Sequence, residues 1–525
     1  MDDPIELEIF KHLFASVAEE MGSRLQRSAY SANIKERRDF SCAVFNATGE
    51  LIAQAAHIPV HLGAMPLSVQ ACLKAMTLEK GDIAIVNDPY HGGTHLPDIT
   101  LISPIYGHQQ LFGFVANRAH HADVGGMSPG SMPLSQELYQ EGVIIPPLKL
   151  MSGGVLNEAV LTLLLANVRT PLERRGDLHA QMAANRIGIE RVHAFVARYG
   201  WKTVEAKMKA LLAYSEQMTR RLIQDLPDGT YHFSDVLDDD GIDLDPITLA
   251  VTVTIQDDEV MVDFGGTSPQ CRGSLNAVSA IALSAVAYVF RCLLGLDIPG
   301  NSGCLFPIRL VTPEGTVVNA KHPAAIAGGN VETAQRLVDV LLGALSQACP
   351  DRVPAASQGT MNNLAIGGWD VSRQMLFAYY ETIGGGMGAS HGSHGASAIH
   401  SHMTNTQNTP VEALEYVYPV RVHQHAVRQG SGGAGQYRGG DGIIRELEFL
   451  QNMMVTILSD RRTHAPYGMA GGEAGQKGVN VLCRDGNETV LPGKVNFEAK
   501  AGYRLRIETP GGGGYGKRFV YEGVE

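Results

Sequence analysis

The sequence predicts a mixed α/β fold of the α+β kind, built from several domains, and three observations carry that expectation. Apolar residues recur at helical spacing over residues 4–30 and 156–224, whereas residues 230–264 alternate apolar and polar as strands do. The 525 residues exceed what one ordinary hydrophobic core holds. Glycine, 59 residues in all, gathers in loops of the second half, which marks special backbone rather than disorder. The expected division is an N-terminal α/β region with a candidate metal site over 1–228, a central mixed region with buried helices over 229–400, and a glycine-rich β region over 401–525.

In chain order, Phe10, Phe14, Val17, Met21 and Leu25 fall on one face of a first helix, with Pro4 suited to its first turn. KERRDFSCAVFNATGELIAQ reads as a hairpin: a strand near Phe40–Phe45, a turn at Asn46–Gly49 and a strand from Leu51. Asp39 at its root follows Arg37 and Arg38, and reads equally as a salt-bridged carboxylate or a ligand. His57 and His61 flank Pro59, which argues against a helix that would place them on one face.

Two strand-like runs, Ile83–Val86 and Leu111–Val115, each empty into a polar, glycine-bearing loop. The first loop carries Asp88, His91, His95 and Asp98; the second carries His120, His121 and Asp123. Imidazoles and carboxylates delivered from the ends of two neighbouring strands suit a mononuclear divalent metal ion. The spacing His120-x-x-Asp123 lets both side chains reach one ion from a single turn. A buried imidazole bonded to a carbonyl accounts for any one of these histidines, so the cluster rather than a member points to metal.

MSPGSMPLSQELYQEGVIIPPLKL reads as a lid or wall beside that site. Asp177, Gln181 and Asn185 lie four apart on a helix over Glu173–Val192. Such a stripe can bind substrate or face solvent, and spacing alone favours solvent. The run Asp238, Asp239, Asp240, Asp243, Asp245 departs from an EF-hand loop and reads as a solvated turn. Helices are expected over 274–294 and 332–348; the apolar stretch Ala277–Phe290 is too short to span a bilayer.

The glycine loops AIAGGNVET, SQGTMNN, IGGGMGASHGSHGAS, QGSGGAGQYRGGDG and TPGGGGYG contain no GxxxxGK[ST] phosphate loop and no dinucleotide fingerprint. His391, His394, His400 and His402 read as lining an interface or pocket more than as metal ligands. A formal charge of -12, from 42 basic and 54 acidic residues without a basic run, argues against nucleic-acid binding. Seven scattered cysteines without a CxxC pair, and an N-terminus unlike a signal peptide, lead to the expectation of a cytoplasmic protein without disulfides or membrane segment.

Taken together, RRDFSCAVF (37–45), PVHLGAMP (59–66), NDPYHGGTHLPDI (87–99), ANRAHHADVGG (116–126), RGDLHAQMAAN (175–185), VDFGGTSPQ (262–270), AGGNVETAQR (327–336), MTNTQNTPVEALE (403–415), GSGGAGQYRGGDG (430–442) and TPGGGGYG (509–516) resemble the hydantoinase B / 5-oxoprolinase family over nearly the whole chain. The resemblance implies an ATP-dependent cyclic amidase of divided labour. A hydantoinase A-type ATPase subunit phosphorylates a lactam or hydantoin carbonyl oxygen, and the B-type chain completes hydrolysis in a hetero-oligomer. It implies metal ligation by Asp39, His95, His120 and Asp123, with Glu141, His61 or a water completing the shell. His121, Asp98 and Glu141 are then the acid–base candidates, and Asp177, Gln181 and Asn185 the substrate-binding ones. Nitrogen and oxygen donors without thiolate suit Zn2+, Mn2+ or Fe2+, acting as Lewis acid and water activator. Two rival readings are a component of an acetone- or acetophenone-type carboxylase and a non-catalytic scaffold subunit; the chain length favours the hydrolase.

Overall fold

The computed structural model of the protein describes residues 3–518 apart from positions 56, 108 and 296. Its N-terminal part is organised on a seven-stranded sheet whose strands run, across the sheet, Leu51–Gln54, Phe40–Asn46, Gln110–His120, Asp98–Gly107, Ile83–Val86, Leu148–Ser152 and Val155–Leu156. Every neighbouring pair in it is antiparallel.

Successive side chains of a strand point to opposite faces, and here both faces are covered. Cys42, Val44, Val115 and Ala119 pack against Phe10, Phe14, Val17 and Met21 of the helix Pro4–Ser28 and against Ala180 and Ala184 of the helix Pro171–Tyr199. Ala43, Phe45, Phe114 and Ala116 pack on the other side against Met65 and Val69 of the helix Ala64–Ala75. That is why these strands are apolar at consecutive positions rather than alternating.

One sequence expectation about this sheet is corrected. The strands Ile83–Val86 and Gln110–His120 are not neighbours, because Asp98–Gly107 lies between them. Asp98 is the first residue of that middle strand and pairs in register with His120. Asp39 immediately precedes the strand on the other side, and its carbonyl accepts the His120 N–H at 3.0 Å. Three adjacent strands therefore present Asp39, His120 and Asp98 at one end of the sheet.

The central region holds a four-stranded sheet, ordered Ile308–Val311, Glu259–Asp263, Ile247–Gln256, Gly229–Leu237. It packs with the helices Ser279–Leu294 and Ala334–Leu345 into the largest apolar core. The second helix is preceded by a π-helical turn, Gly329–Thr333. Two further sheets follow. One is Met375–Glu381, Asn363–Asp370, Met453–Leu458, Lys494–Ala499; the other is Val420–Arg428, Gly442–Phe449, Arg504–Glu508, Val479–Arg484, Asn487–Leu491. Leu364, Ile366 and Ile457 of the first meet Ile443, Leu447 and Leu505 of the second in a sandwich. The first of these sheets joins strands on either side of position 400, where the sequence reading drew a boundary.

Glycine-rich segments stack backbone on backbone beside the sandwich. A Cβ on Gly386 would stand 2.0 Å from the Gly440 carbonyl oxygen, and one on Gly512 2.1 Å from that of Met387. No larger residue fits there. None of the described helices is long and apolar enough to cross a membrane.

Two polar features expected in solvent are buried in whole or in part: in the acidic run Asp238 and Asp240 are buried, while Asp243 and Asp245 are exposed as expected. Asp238 accepts the backbone N–H groups of Arg462, Thr463 and His464, and Asp240 those of Ile242, Asp243 and Gly273, so the acidic run ties loops together. Asp177, Gln181 and Asn185 are fully buried along the strand Asp98–Gly107. The Gln181 amide donates to the Ile99 carbonyl, and that of Asn185 to the Leu101 carbonyl and Ser103 hydroxyl. A four-residue helical step of about 6 Å nearly matches a two-residue strand step of about 6.8 Å, so the stripe runs in register with the strand. Asp177 accepts from the backbone of Tyr30 and Ser31 and from Arg174 at 2.9 Å. Removing this carboxylate leaves the Tyr30 and Ser31 N–H groups without their acceptor and Arg174 with Glu173 as its remaining anionic partner, at a cost of about 3 kcal/mol. Asp177→Ala is therefore expected to lower the melting temperature by several degrees, where a solvent-facing stripe would leave it unchanged.

Candidate metal centre

The chemistry-bearing side chains converge where the seven-stranded sheet, the π-helical turn and the sandwich meet. His95, Asp98 and His120 are buried, and one donor atom from each lies within 4.8 Å of the others. His95 Nε2 stands 3.4 Å from Asp98 Oδ2, and His120 Nδ1 3.6 Å from Asp98 Oδ1. Asp39 Oδ2 is 3.9 Å from His120 Nδ1. His61 reaches the same carboxylate, its Nε2 3.2 Å from Asp98 Oδ2, with its Nδ1 2.9 Å from the Ser41 hydroxyl. Thr94 donates to Asp98 Oδ2 at 2.5 Å.

The site is supported from three directions. The His95 Nδ1–H donates to the Ala327 carbonyl at 3.3 Å, which turns Nε2 toward the cluster. Tyr380 of the third sheet stacks on the His120 ring at 4.7 Å. Arg37 in turn donates to the Tyr380 carbonyl and the Thr382 hydroxyl and lies over the Tyr380 ring. Among the described residues, Asp98 Oδ1 and His120 Nε2 are buried without a hydrogen-bond partner. Uncommitted buried oxygen and nitrogen donors are the chemistry of a divalent-ion site, and the residues fit one.

Charge is distributed unevenly. Burial opposes the Asp98 anion, yet His95 and His61 beside it hold its carboxyl well below the usual carboxylate range. Burial pushes the Asp39 carboxyl up, with His120 and Arg37 offsetting part of the rise. Burial also lowers His61 and His120, whereas at His95 the pull of Asp98 overcomes burial and raises it.

Other residues singled out from sequence sit elsewhere. Both Asp123 oxygens are engaged: Oδ1 accepts from the backbone of Gly125 and Arg169, and Oδ2 from the Arg169 guanidinium at 2.9 Å. His121 points its Nε2 at Gln181 Oε1, 2.9 Å away, and lies on the helix side of the sheet. The Asp177/Gln181/Asn185 stripe is spent on backbone, on that histidine, and on the Arg174, Ser103 and Asn117 side chains. His57 accepts the Cys42 N–H at 3.2 Å. His391 is exposed, and His402 lies 3.5 Å from Asp339.

Glu141 is buried beside the centre without entering it. Its Oε1 accepts from Ser135 at 2.7 Å and from the backbone of Ile326 and Ala327 at 2.8 and 2.9 Å. It thus fixes the segment whose Ala327 carbonyl orients His95. Sequence spacing gave no sign of Asn330, whose amide lies 3.0 Å from His95 Nε2; only the glycine-rich AIAGGN loop marked that segment as unusual.

Burial raises the Glu141 carboxyl to about 7, with the Ala327 N–H, the Ser135 hydroxyl and the Ile326 N–H opposing the rise. The folded chain therefore keeps a proton that the unfolded chain releases near the ordinary value of 4.5. Stability from this group is full below that value and is lost as pH rises through about 7. Glu141→Gln keeps the accepting oxygen but does not titrate. Between pH 5 and 8 the wild type should lose roughly 3 kcal/mol relative to this variant, at about 1.4 kcal/mol per pKa unit. Denaturant titrations of both proteins across that range provide the check, and parallel curves would contradict it.

Residues 3–518 match the hydantoinase B/oxoprolinase family. The chain is 42% identical to 5-oxoprolinase 1 of Arabidopsis thaliana across 98% of its own length, and spans only 42% of that longer protein. Among solved structures it resembles the ATP-dependent caprolactamase from Pseudomonas jessenii, with a TM-score of 0.91 and 29% identity over 98% of this chain and 91% of that one. Acetone carboxylase in its nucleotide-free state shares the fold, with a TM-score of 0.89 at 20% identity over 98% of this chain and 76% of the other. The chain belongs to the hydantoinase B/oxoprolinase family.

Proposed function

We propose that this chain is the ring-opening component of an ATP-dependent cyclic amidase. It holds a divalent ion at His95, Asp98 and His120, with Asp39 beside them, and acts on a five-membered lactam or cyclic imide. The observation that carries this reading is the buried donor cluster, with Asp98 Oδ1 and His120 Nε2 uncommitted. The relationship to caprolactamase, an ATP-dependent enzyme, supports a cyclic amide as substrate.

An amide in a ring is a poor electrophile, and ATP is the natural source of activation. The sequence contains no phosphate-loop pattern, and 5-oxoprolinase 1 extends well beyond the part this chain matches. Both support an ATPase portion carried by a hydantoinase A-type partner. Bound at this centre, a divalent ion would supply Lewis acidity toward a ring carbonyl and acidify water. The chain's own residues do the rest. Ala327 fixes the His95 tautomer, Thr94 and His61 hold Asp98 in place, and the Tyr380 ring immobilises His120. Burial keeps bulk water from an activated ring, and Asp39, raised by its surroundings, is placed to hold a proton beside His120.

The test uses the chain with and without its A-type partner, assayed with a lactam or hydantoin, ATP and metal. Turnover is expected only with the partner, and His120→Ala should abolish both turnover and bound metal while the chain stays folded. ATP-dependent hydrolysis by the chain alone would overturn the divided-labour reading. ATP consumption that requires bicarbonate and a ketone would replace hydrolysis with carboxylation.

A further inference from the structure

Asn330 occupies an unusual position. It sits in the π-helical turn Gly329–Thr333, a backbone irregularity that recurs at functional sites. The turn is clamped from both sides. A Cβ on Gly329 would stand 1.9 Å from the Asn276 carbonyl oxygen, and the Gly328 N–H donates to the Ser274 carbonyl at 2.8 Å. Asn276 also donates to the Ala325 carbonyl, while Glu141 grips Ile326 and Ala327 from the opposite side. A segment held this tightly presents its side chain to one place.

The Asn330 side chain is buried, at 5% exposure, and aims at the donor cluster. Its Nδ2 lies 3.0 Å from His95 Nε2 and 3.4 Å from Asp98 Oδ2. Its Oδ1 is buried without a partner among the described residues. Half of a buried amide is thus unsatisfied next to an ion site, although a half-turn about its last torsion would exchange oxygen and nitrogen. Donors bound to one ion at about 2.1 Å stand about 3.0 Å apart at right angles and about 3.4 Å at tetrahedral angles. The amide's terminal atom therefore already sits at ligand-to-ligand separation from both His95 and Asp98.

We infer that Asn330 is a ligand of the metal centre, giving its carboxamide oxygen to the ion held by His95, Asp98 and His120. This rests on the reading that those three residues hold an ion. A carboxamide oxygen beside a carboxylate hardens the donor set and shifts preference toward Mn2+ or Fe2+ over a four-coordinate zinc site.

The test measures Mn2+ and Zn2+ affinity of metal-stripped chain by calorimetry against a competing chelator, together with Mn2+ paramagnetic resonance and melting temperature. Asn330→Ala should weaken Mn2+ binding tenfold or more and change the Mn2+ spectrum. Asn330→Asp, which keeps an oxygen but cannot donate a hydrogen bond to His95, should bind Mn2+ at least as tightly as wild type. A donor role toward His95 would instead be lost in both variants, and that result overturns the proposal. Wild-type affinity in Asn330→Ala with binding lost in His120→Ala would also refute the ligand role while leaving the ion site intact. Wild-type affinity in both would refute the site itself. If Asn330→Ala does not fold, the metal-dependent rise in melting temperature of Asn330→Asp decides: an undiminished rise supports ligation and its loss refutes it.

Discussion

A carboxylate with 1% exposure at position 98 is the constraint on which the rest of this structure depends. Taking an anion out of water is costly unless partners replace the hydration. Its immediate partners here are imidazoles and neutral donors: His61, His95, Thr94 and the Asn330 amide. Asp39 adds a second acid to the same volume, 3.9 Å from His120. With Asp98 held as an anion and the Asp39 carboxyl pushed up by burial, the cluster balances its charge with protons on Asp39 or His95 or with a cation. Burial lowers His61 and His120, whereas the pull of Asp98 raises His95, and the proposed divalent ion would take over that balance.

The architecture is arranged to keep that balance in place. The cluster is rooted on strand ends, Asp98 and His120 being register partners in the middle of a sheet covered on both faces. The helix Pro171–Tyr199 is locked to the same strand by Gln181 and Asn185, whose bonds to Ile99 and Leu101 leave little freedom for axial sliding. Because Gln181 also holds His121, the histidine next to His120 is turned toward the helix. His121 stands just past the end of that strand, where its bond to Gln181 directs it away from the cluster that His120 joins.

How much of this was legible depended on whether a signal was local. The first helix, the hairpin at Phe40 and the helices beyond Glu158 follow from apolar spacing, because burial of one face dictates it. The segment holding His95, Asp98 and His120 was legible because several donors crowd a short stretch. Roles within it were not, since Asp123 is diverted by Arg169, an exchange visible only once the fold brings residue 169 alongside. The same holds for His61 and Asn330, which reach Asp98 from 37 and 232 residues away. The buried stripe was misread toward solvent because polarity at helical spacing looks alike whether it meets water or strand carbonyls. Asp238 of the acidic run departs from that expectation for the corresponding reason: backbone N–H groups of Arg462 to His464, far along the chain, replace water there, while Asp243 and Asp245 stay exposed.

The C-terminal sandwich is as much part of the site as the sheet that bears Asp98 and His120. Tyr380 belongs to its strand Met375–Glu381 and lies flat on His120, and Arg37, two residues before Asp39, holds the Tyr380 backbone. That strand is followed by the glycine segment at Gly384–Gly388, which nests against Gly440 and Gly512 so closely that no side chain fits between. The glycines are thus a packing requirement that carries through to the ring over His120. A residue wider than glycine at 386 would push on the loop that follows Glu381, and through it on Tyr380. The donors near Asp98 come from one chain, so the proposed partner need supply no ligand to this centre.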